Sequence, residues 1–89
     1  MSTIEAKQAA ERVSMPLADD AETFLGLGLK YCAGQGVPLD MIEAHKWFNI
    51  AALRGSQAAK DYRQEISREM TRADIGRAQR RAREWLACR

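Results

Sequence analysis

Residues 27–59 read LGLKYCAGQGVPLDMIEAHKWFNIAALRGSQAA, and this stretch decides the fold. Gly34 and Gly36 follow an apolar run with helical spacing. Glycine ends a helix at little cost because it accepts a positive φ. Pro38 disfavours a helical conformation in the residue before it, and Asp40 has the side chain of a helix N-cap. The pattern predicts one helix, a glycine-rich connector and a second helix.

The apolar residues of these two helices recur at three- and four-residue spacing, which puts each set on a single helical face. The first face is formed by Phe24, Leu27, Gly28 and Tyr31, and the second by Ala44, Trp47, Phe48 and Ala51. A glycine inside a helix costs about 1 kcal/mol relative to alanine, so Gly28 predicts a close approach of the second helix. The short connector predicts that the two helices are antiparallel.

The complete spacing of residues 27–59 resembles the Sel1-like repeat, a relative of the tetratricopeptide repeat, with one full repeat at about residues 21–59. The matching positions are Leu27, Gly28, Tyr31, Gly34, Gly36, Val37, Asp40, Ala44, Trp47, Ala51, Ala52, Gly55 and Ala59. Thr23 stands where the family usually has alanine. The resemblance implies an α/α solenoid unit that serves as an adaptor or scaffold in protein complexes, and it implies no catalytic residue.

The rest of the chain predicts further helices. Residues 1–18 are expected to form a short helix and a linker, and residues 19–89 a repeat domain. In this domain the repeat (about 21–56) is followed by a closing helical hairpin (about 57–88), since the end of a repeat stack needs a unit with a polar outer face. N-caps are expected at Asp19 or Asp20, Asp40, Ser56 and Thr71. We predict an all-α fold, a Sel1- or TPR-like solenoid fragment of four to five helices.

Composition narrows the class of protein without naming a partner. The chain has 89 residues, 46% of them hydrophobic, and a net charge of +2, which is too small to dictate a partner. Cys32 and Cys88 are the only cysteines, and their spacing favours neither a disulfide framework nor a metal site. The N-terminal residues lack a signal-peptide pattern, and no segment is long enough to cross a membrane. We expect a cytoplasmic protein without metal or cofactor.

The first helix of the repeat carries a second apolar stripe. Leu25, Leu29 and Cys32 lie beside the first stripe, so the helix is apolar nearly all round and expects burial on more than one side. Either the N-terminal helix or the following hairpin covers this stripe, or part of it is open to a partner helix or a second copy of the chain. The candidate contact residues are Leu25, Leu29, Lys30 and Gln35. A protein partner is therefore the first expectation, and self-association is compatible with it.

Nucleic-acid binding is the less favoured alternative. Lys and Arg outnumber Asp and Glu nine to five in residues 55–89, and four arginines crowd one short stretch. These arginines, candidates for phosphate or acidic-partner contacts, are Arg77, Arg80, Arg81 and Arg83. The interspersed acidic residues are equally typical of an ordinary solvated helix face.

Catalysis is the least favoured function. His45 is the only histidine, and its position off the Trp47 face predicts an imidazole on the solvent side of the helix. No serine or cysteine nucleophile stands at a recognisable spacing from it. Trp47 and Trp85 fall on apolar stripes, which predicts that both belong to the core rather than to a ligand site. The sequence therefore predicts a protein that is not an enzyme.

Overall fold

The computed structural model describes residues 19–88, which form four α-helices. We number them α1 (Ala21–Ala33), α2 (Met41–Leu53), α3 (Gln57–Ser67) and α4 (Arg72–Ala87). No strand occurs among these residues, so the all-α prediction is confirmed. The helix and linker predicted for residues 1–18 lie outside the described part of the chain, as does Arg89.

Each helix begins at a side chain that satisfies a backbone N–H of its first turn. A side-chain oxygen of each N-cap residue accepts a hydrogen bond from the N–H three residues later, at 2.8–3.1 Å. The four N-caps are Asp20, Asp40, Ser56 and Thr71. Such caps typically contribute about 1 kcal/mol each. The predicted helix starts are confirmed.

The connector between α1 and α2 turns on a glycine, as predicted. Gly34 has φ 68°, and the N–H groups of Gly34 and Gln35 both donate to the carbonyl of Lys30. The N–H of Asp40 then donates to the carbonyl of Tyr31 at 3.0 Å. The connector thus satisfies the open carbonyls at the end of α1 and returns the chain beside it.

Helix α2 lies at the centre of the fold and packs against the other three helices. It runs antiparallel to α1, since Arg54 after the end of α2 pairs with Asp19 before the start of α1 at 3.2 Å. The α3 contacts fall on His45 and Asn49. The α4 contacts fall on Glu43 and Trp47. At about 100° per residue, these two pairs lie on opposite sides of α2.

The last two helices do not form a hairpin in which each helix packs on the other. α3 and α4 each pack on α2 and have few contacts with one another. The reason is that Ala59 and Ile66 of α3, and Ala78 and Ala82 of α4, are the buried residues of their helices and join the core around α2. The chain therefore surrounds one helix instead of adding a second self-contained pair.

Close packing between α1 and α2 depends on Gly28. A Cβ atom added at this position would lie within 2.5 Å of the Phe48 ring, a separation that side chains do not adopt. Phe48 is completely buried. The absence of a side chain at Gly28 thus lets the ring of α2 sit directly on the α1 backbone, as the sequence predicts.

An aromatic cluster holds α1, α2 and α4 together. Phe24 and Trp47 stack with ring centroids 5.8 Å apart, and Trp85 meets each of them edge-on at 5.2 Å. Edge-to-face and stacked pairs at these distances stabilise beyond the apolar area they bury. The predicted core positions of Trp47 and Trp85 are confirmed, with Trp47 9% exposed and Trp85 partly buried against the core.

Candidate interaction surfaces

Phe48 places α1 and α3 on the same side of the central helix. One side of its ring meets Gly28 of α1, and the ring also stacks on Tyr62 of α3 with centroids 5.4 Å apart. The surface where these two helices come together is here called the α1–α3 face. It comprises Leu25, Leu29 and Cys32 of α1, Tyr62 and Glu65 of α3, and Glu69 in the turn after α3.

The apolar part of this face is only partly covered. Leu25, Leu29 and Cys32 are all partly buried, and each packs against the core. Tyr62 remains 38% exposed even though its ring stacks on Phe48. The stripe thus touches the core and still reaches the surface, and whether a partner binds it stays a prediction.

The edge of the α1–α3 face is acidic. Glu65 lies on α3, Glu69 lies in the turn that follows it, and both are exposed. Burial raises the pKa of the Cys32 thiol, and the neighbouring carboxylates of Glu65 and Glu69 raise it further. Both glutamates therefore lie near Cys32 of α1, and among the described residues neither forms an ion pair.

Lys30 and Gln35 do not join this face. Both are exposed, but Lys30 lies about 140° around α1 from Leu25, by the helical spacing of about 100° per residue. Gln35 belongs to the connector, where its N–H is taken by a backbone carbonyl. The four contact residues predicted from the sequence therefore occupy two separate surfaces, and which of them binds a partner stays a prediction.

The four clustered arginines of α4 are all exposed, but they fall into two groups. Arg77 pairs with Asp74 at 2.6 Å within the helix, and Arg81 pairs with Glu43 of α2 at 2.9 Å. Arg80 and Arg83 form no ion pair within residues 19–88. They point away from the buried Ala78 and therefore form the outer side of α4.

A small charged cluster ties α2 to α4. Glu43 accepts contacts from Lys46 at 3.1 Å and from Arg81 at 2.9 Å, and its side chain is 19% exposed. The ammonium of Lys46 lies 4.1 Å from the centre of the Trp47 ring, a cation–π distance. Lys46 and Arg81 are thus both paired with a carboxylate of the same chain. The sequence signal for this cluster was only the i,i+3 spacing of Glu43 and Lys46.

His45 corrects one expectation. The sequence predicts a solvent-side imidazole, but the side chain is buried, with only 2% of its surface exposed. The reason is that α3 covers this flank of α2. His45 Nε2 lies 3.0 Å from Ser67 Oγ, and Arg63 Nη1 donates to Asn49 Oδ1 at 2.7 Å.

The hydrogen bonds of this polar network determine the tautomer of His45. Ser67 Oγ donates to the carbonyl of Arg63 at 2.7 Å, so it must accept from His45 Nε2–H. His45 Nδ1 then accepts from Asn49 Nδ2 at 3.5 Å. Burial lowers the pKa of His45 from its ordinary 6.5, and the positive charge of Arg63 lowers it further, against a weaker opposing backbone hydrogen bond. The imidazole is held neutral at neutral pH.

The His45–Ser67 pair has the separation of a base and a nucleophile but not their arrangement. In such a pair the serine hydroxyl donates to the histidine. Here the hydroxyl proton is engaged by a backbone carbonyl, and the histidine is the donor. The geometry is that of a buried structural network. Its sequence signal was two polar pairs at i,i+4 spacing, His45 with Asn49 and Arg63 with Ser67.

The residues that define the predicted repeat lie either at the ends of helices or in the core. Positive φ angles occur at Gly34, Gly36 and Gly55, Asp40 is an N-cap, and Gly28, Ala44, Trp47 and Ala51 are buried. Leu27 and Tyr31 are partly buried beside the core.

Residues 19–88 contain no group of three His, Cys, Asp or Glu side chains arranged to hold a metal ion. Within the same residues, no helix has the length and apolarity needed to span a membrane. A cytoplasmic location stays a prediction from the sequence.

A scan against protein-family models finds no family that matches this chain, and searches of curated proteins and of solved structures find no match either. The resemblance to the Sel1-like repeat therefore rests on the spacing of residues in the sequence, and the solenoid type stays a prediction.

Proposed function

We propose that this protein is a non-enzymatic interaction module, an adaptor that binds a protein partner through the α1–α3 face. The observation that carries the proposal is that Leu25 and Leu29 of α1 and Tyr62 of α3 remain partly exposed on two helices that both contact Phe48. These residues lie on helices whose backbones are fixed by α2, so a partner meets a preformed surface.

The chemistry of the face suits a partner helix. Partly buried leucines one turn apart form a stripe that an amphipathic helix can cover. An aromatic side chain held in place by stacking, as Tyr62 is on Phe48, adds contact area with little loss of conformational entropy. The implied adaptor role of a Sel1-like repeat, proposed from the sequence, agrees with this use.

The experiment is capture of proteins from the native lysate with three forms of the full chain as bait. Leu25→Glu combined with Leu29→Glu places two charges on the face and should remove the proteins that wild type retains. Leu53→Glu is the matched control, because Leu53 is 67% exposed and lies near the end of α2, away from the face. This control should retain the wild-type set.

Thermal unfolding followed by circular dichroism verifies that each bait is folded. Leu29→Lys alone is the milder variant for use if the double variant unfolds. The proposal is wrong if a folded face variant and wild type capture the same proteins in the same amounts.

Nucleic-acid binding through α4 is the second candidate, and it is supported by the guanidinium groups of Arg80 and Arg83, which form no ion pair within residues 19–88. Against it, Arg77 and Arg81 are already paired with carboxylates. Titration with a random duplex and a random single strand across a salt series tests it, since phosphate contacts weaken steeply with salt. No affinity at low salt would remove this candidate.

A further inference from the structure

We infer that the α1–α3 face accepts the outer, arginine-bearing side of α4 from a second copy of this chain. The inference rests on the proposed function, because it names the occupant of the same face. It is carried by the complementary charge of two exposed surfaces.

The accepting surface has an apolar floor and an acidic edge. Leu25 and Leu29 form the floor, and Tyr62 of α3 is 38% exposed. Glu65 and Glu69 form the edge, and neither has an ion-pair partner among the described residues. An occupant of this face therefore needs two neighbouring positive charges, together with a surface that tolerates contact with leucine.

The outer side of α4 meets this requirement. Arg80 and Arg83 are three residues apart on the helix, which places their two positive charges about one turn apart. Both are exposed and have no carboxylate partner within residues 19–88. Their side chains are thus available to a second molecule without breaking an existing contact.

An arginine side chain can contact both the apolar floor and the acidic edge of the face, which a compact charged group cannot. Its methylene stem can lie along Leu25 and Leu29 while the guanidinium stays at the charged edge. The planar guanidinium also stacks on aromatic rings and pairs with carboxylates through parallel hydrogen bonds. Tyr62 and the two glutamates offer both kinds of contact side by side.

The two surfaces lie in different parts of the molecule. α3 and α4 pack on opposite sides of α2, so one copy can use its α1–α3 face and its α4 at the same time. Such a head-to-tail contact continues from copy to copy. Because exposed ion pairs contribute little individually and are screened by salt, the association should be weak, dependent on concentration, and strongest at low ionic strength.

Sedimentation velocity of the full chain over a concentration series tests the inference. At low salt the average mass of wild type should rise with concentration, and at 1 M salt it should return to that of a single chain. Glu65→Arg with Glu69→Arg should abolish the rise, and so should Arg80→Glu with Arg83→Glu. All four side chains are exposed and lack ion pairs in the described residues, so these changes leave the fold in place.

Combining all four substitutions in one chain is the decisive variant. It keeps the wild-type net charge of +2 and exchanges the signs of the two surfaces. The concentration-dependent rise should return. As a matched control for charge alone, Lys30→Glu with Lys60→Glu makes the same change in net charge as Arg80→Glu with Arg83→Glu, at two exposed basic residues that belong to neither surface, and it should associate like wild type.

A monomeric wild type at low salt, or a combined variant that stays monomeric, would overturn the inference. Neither result would affect the proposed function, which the capture experiment decides through the leucines. Capture of a different protein that is lost with Glu65→Arg and Glu69→Arg, from a wild type that stays monomeric, would assign the acidic edge to that protein and contradict self-association.

Discussion

The two sides of α2 have opposite chemistry. On the side that meets α4, Trp47 packs into an aromatic cluster with Phe24 and Trp85. On the side that meets α3, His45 joins a chain of hydrogen bonds that runs through Ser67 to the carbonyl of Arg63. The first side is held mainly by apolar area, whereas the second adds a hydrogen-bonded polar network to the apolar contact of Phe48 with Tyr62.

The difference shows how one short helix organises a small domain. Apolar burial is favourable in nearly any packing orientation, whereas the polar side stabilises only if every donor meets its acceptor. The aromatic side should therefore supply most of the stability. The polar side should set the position of α3, and with it the geometry of the α1–α3 face.

The largest effect is expected on the aromatic side. Trp47→Ala removes a buried indole and should lower the free energy of unfolding by about 3–5 kcal/mol, a large fraction of the total for a small domain. Chemical denaturation followed by circular dichroism measures this change. Leu53→Ala on the same helix is the control and should cost less than about 0.5 kcal/mol, because Leu53 is exposed. Equal, small effects would show that the cluster does not carry the fold.

A glycine pair on α1 tests the contact with Phe48. Gly28→Ala should destabilise, since overpacking typically costs about 1–3 kcal/mol and exceeds the helix-propensity gain of about 1 kcal/mol. Gly26→Ala is matched in chemistry, but its new Cβ meets nothing within 4 Å. It should be neutral or stabilise by up to about 1 kcal/mol. The melting temperature of Gly28→Ala should therefore fall below that of wild type, whereas that of Gly26→Ala should stay the same or rise. A Gly28→Ala variant that melts no lower than Gly26→Ala would contradict the close approach at Gly28.

The smallest effect is expected on the polar side, as a dependence on pH. The pKa of His45 is lowered in the folded protein, so between this pKa and 6.5 the unfolded chain binds more protons. The stabilisation is present above pH 6.5 and is lost as the pH falls through the folded value. His45→Gln cannot titrate, and its unfolding free energy should fall less than that of wild type between pH 7 and pH 5. Parallel profiles for the two proteins would mean that the imidazole does not titrate as a buried neutral group.

Local sequence rules were sufficient to predict the helices and most of the core residues. The cap residues, Gly34 and the helical spacing of Trp47 each act within a few residues, so the sequence predicts their outcome. The burial of His45 depends instead on which flank of α2 is covered by α3. No local pattern contains that information. The same limit applies to α4, whose stripe identifies a buried side without showing that it packs on α2 rather than on α3.

The candidate surfaces were predictable only in part. Leu25 and Leu29 stood out because they extend the apolar circumference of α1. The sequence did not show that Glu65 and Glu69 contribute to the α1–α3 face, because they come near Cys32 of α1 only in the folded chain. The division of the arginines into paired and free groups likewise depends on Glu43, which is distant in sequence and close in space.

Native-state hydrogen exchange tests most directly the claim that α2 is the element on which the rest of the fold depends. The amides of residues 44–52 should be the slowest, exchanging with the free energy of global unfolding, while α3 and α4 open at lower cost. The account is contradicted if the α2 amides exchange as fast as those of α3 and α4, or if α4 stays protected after α2 has opened.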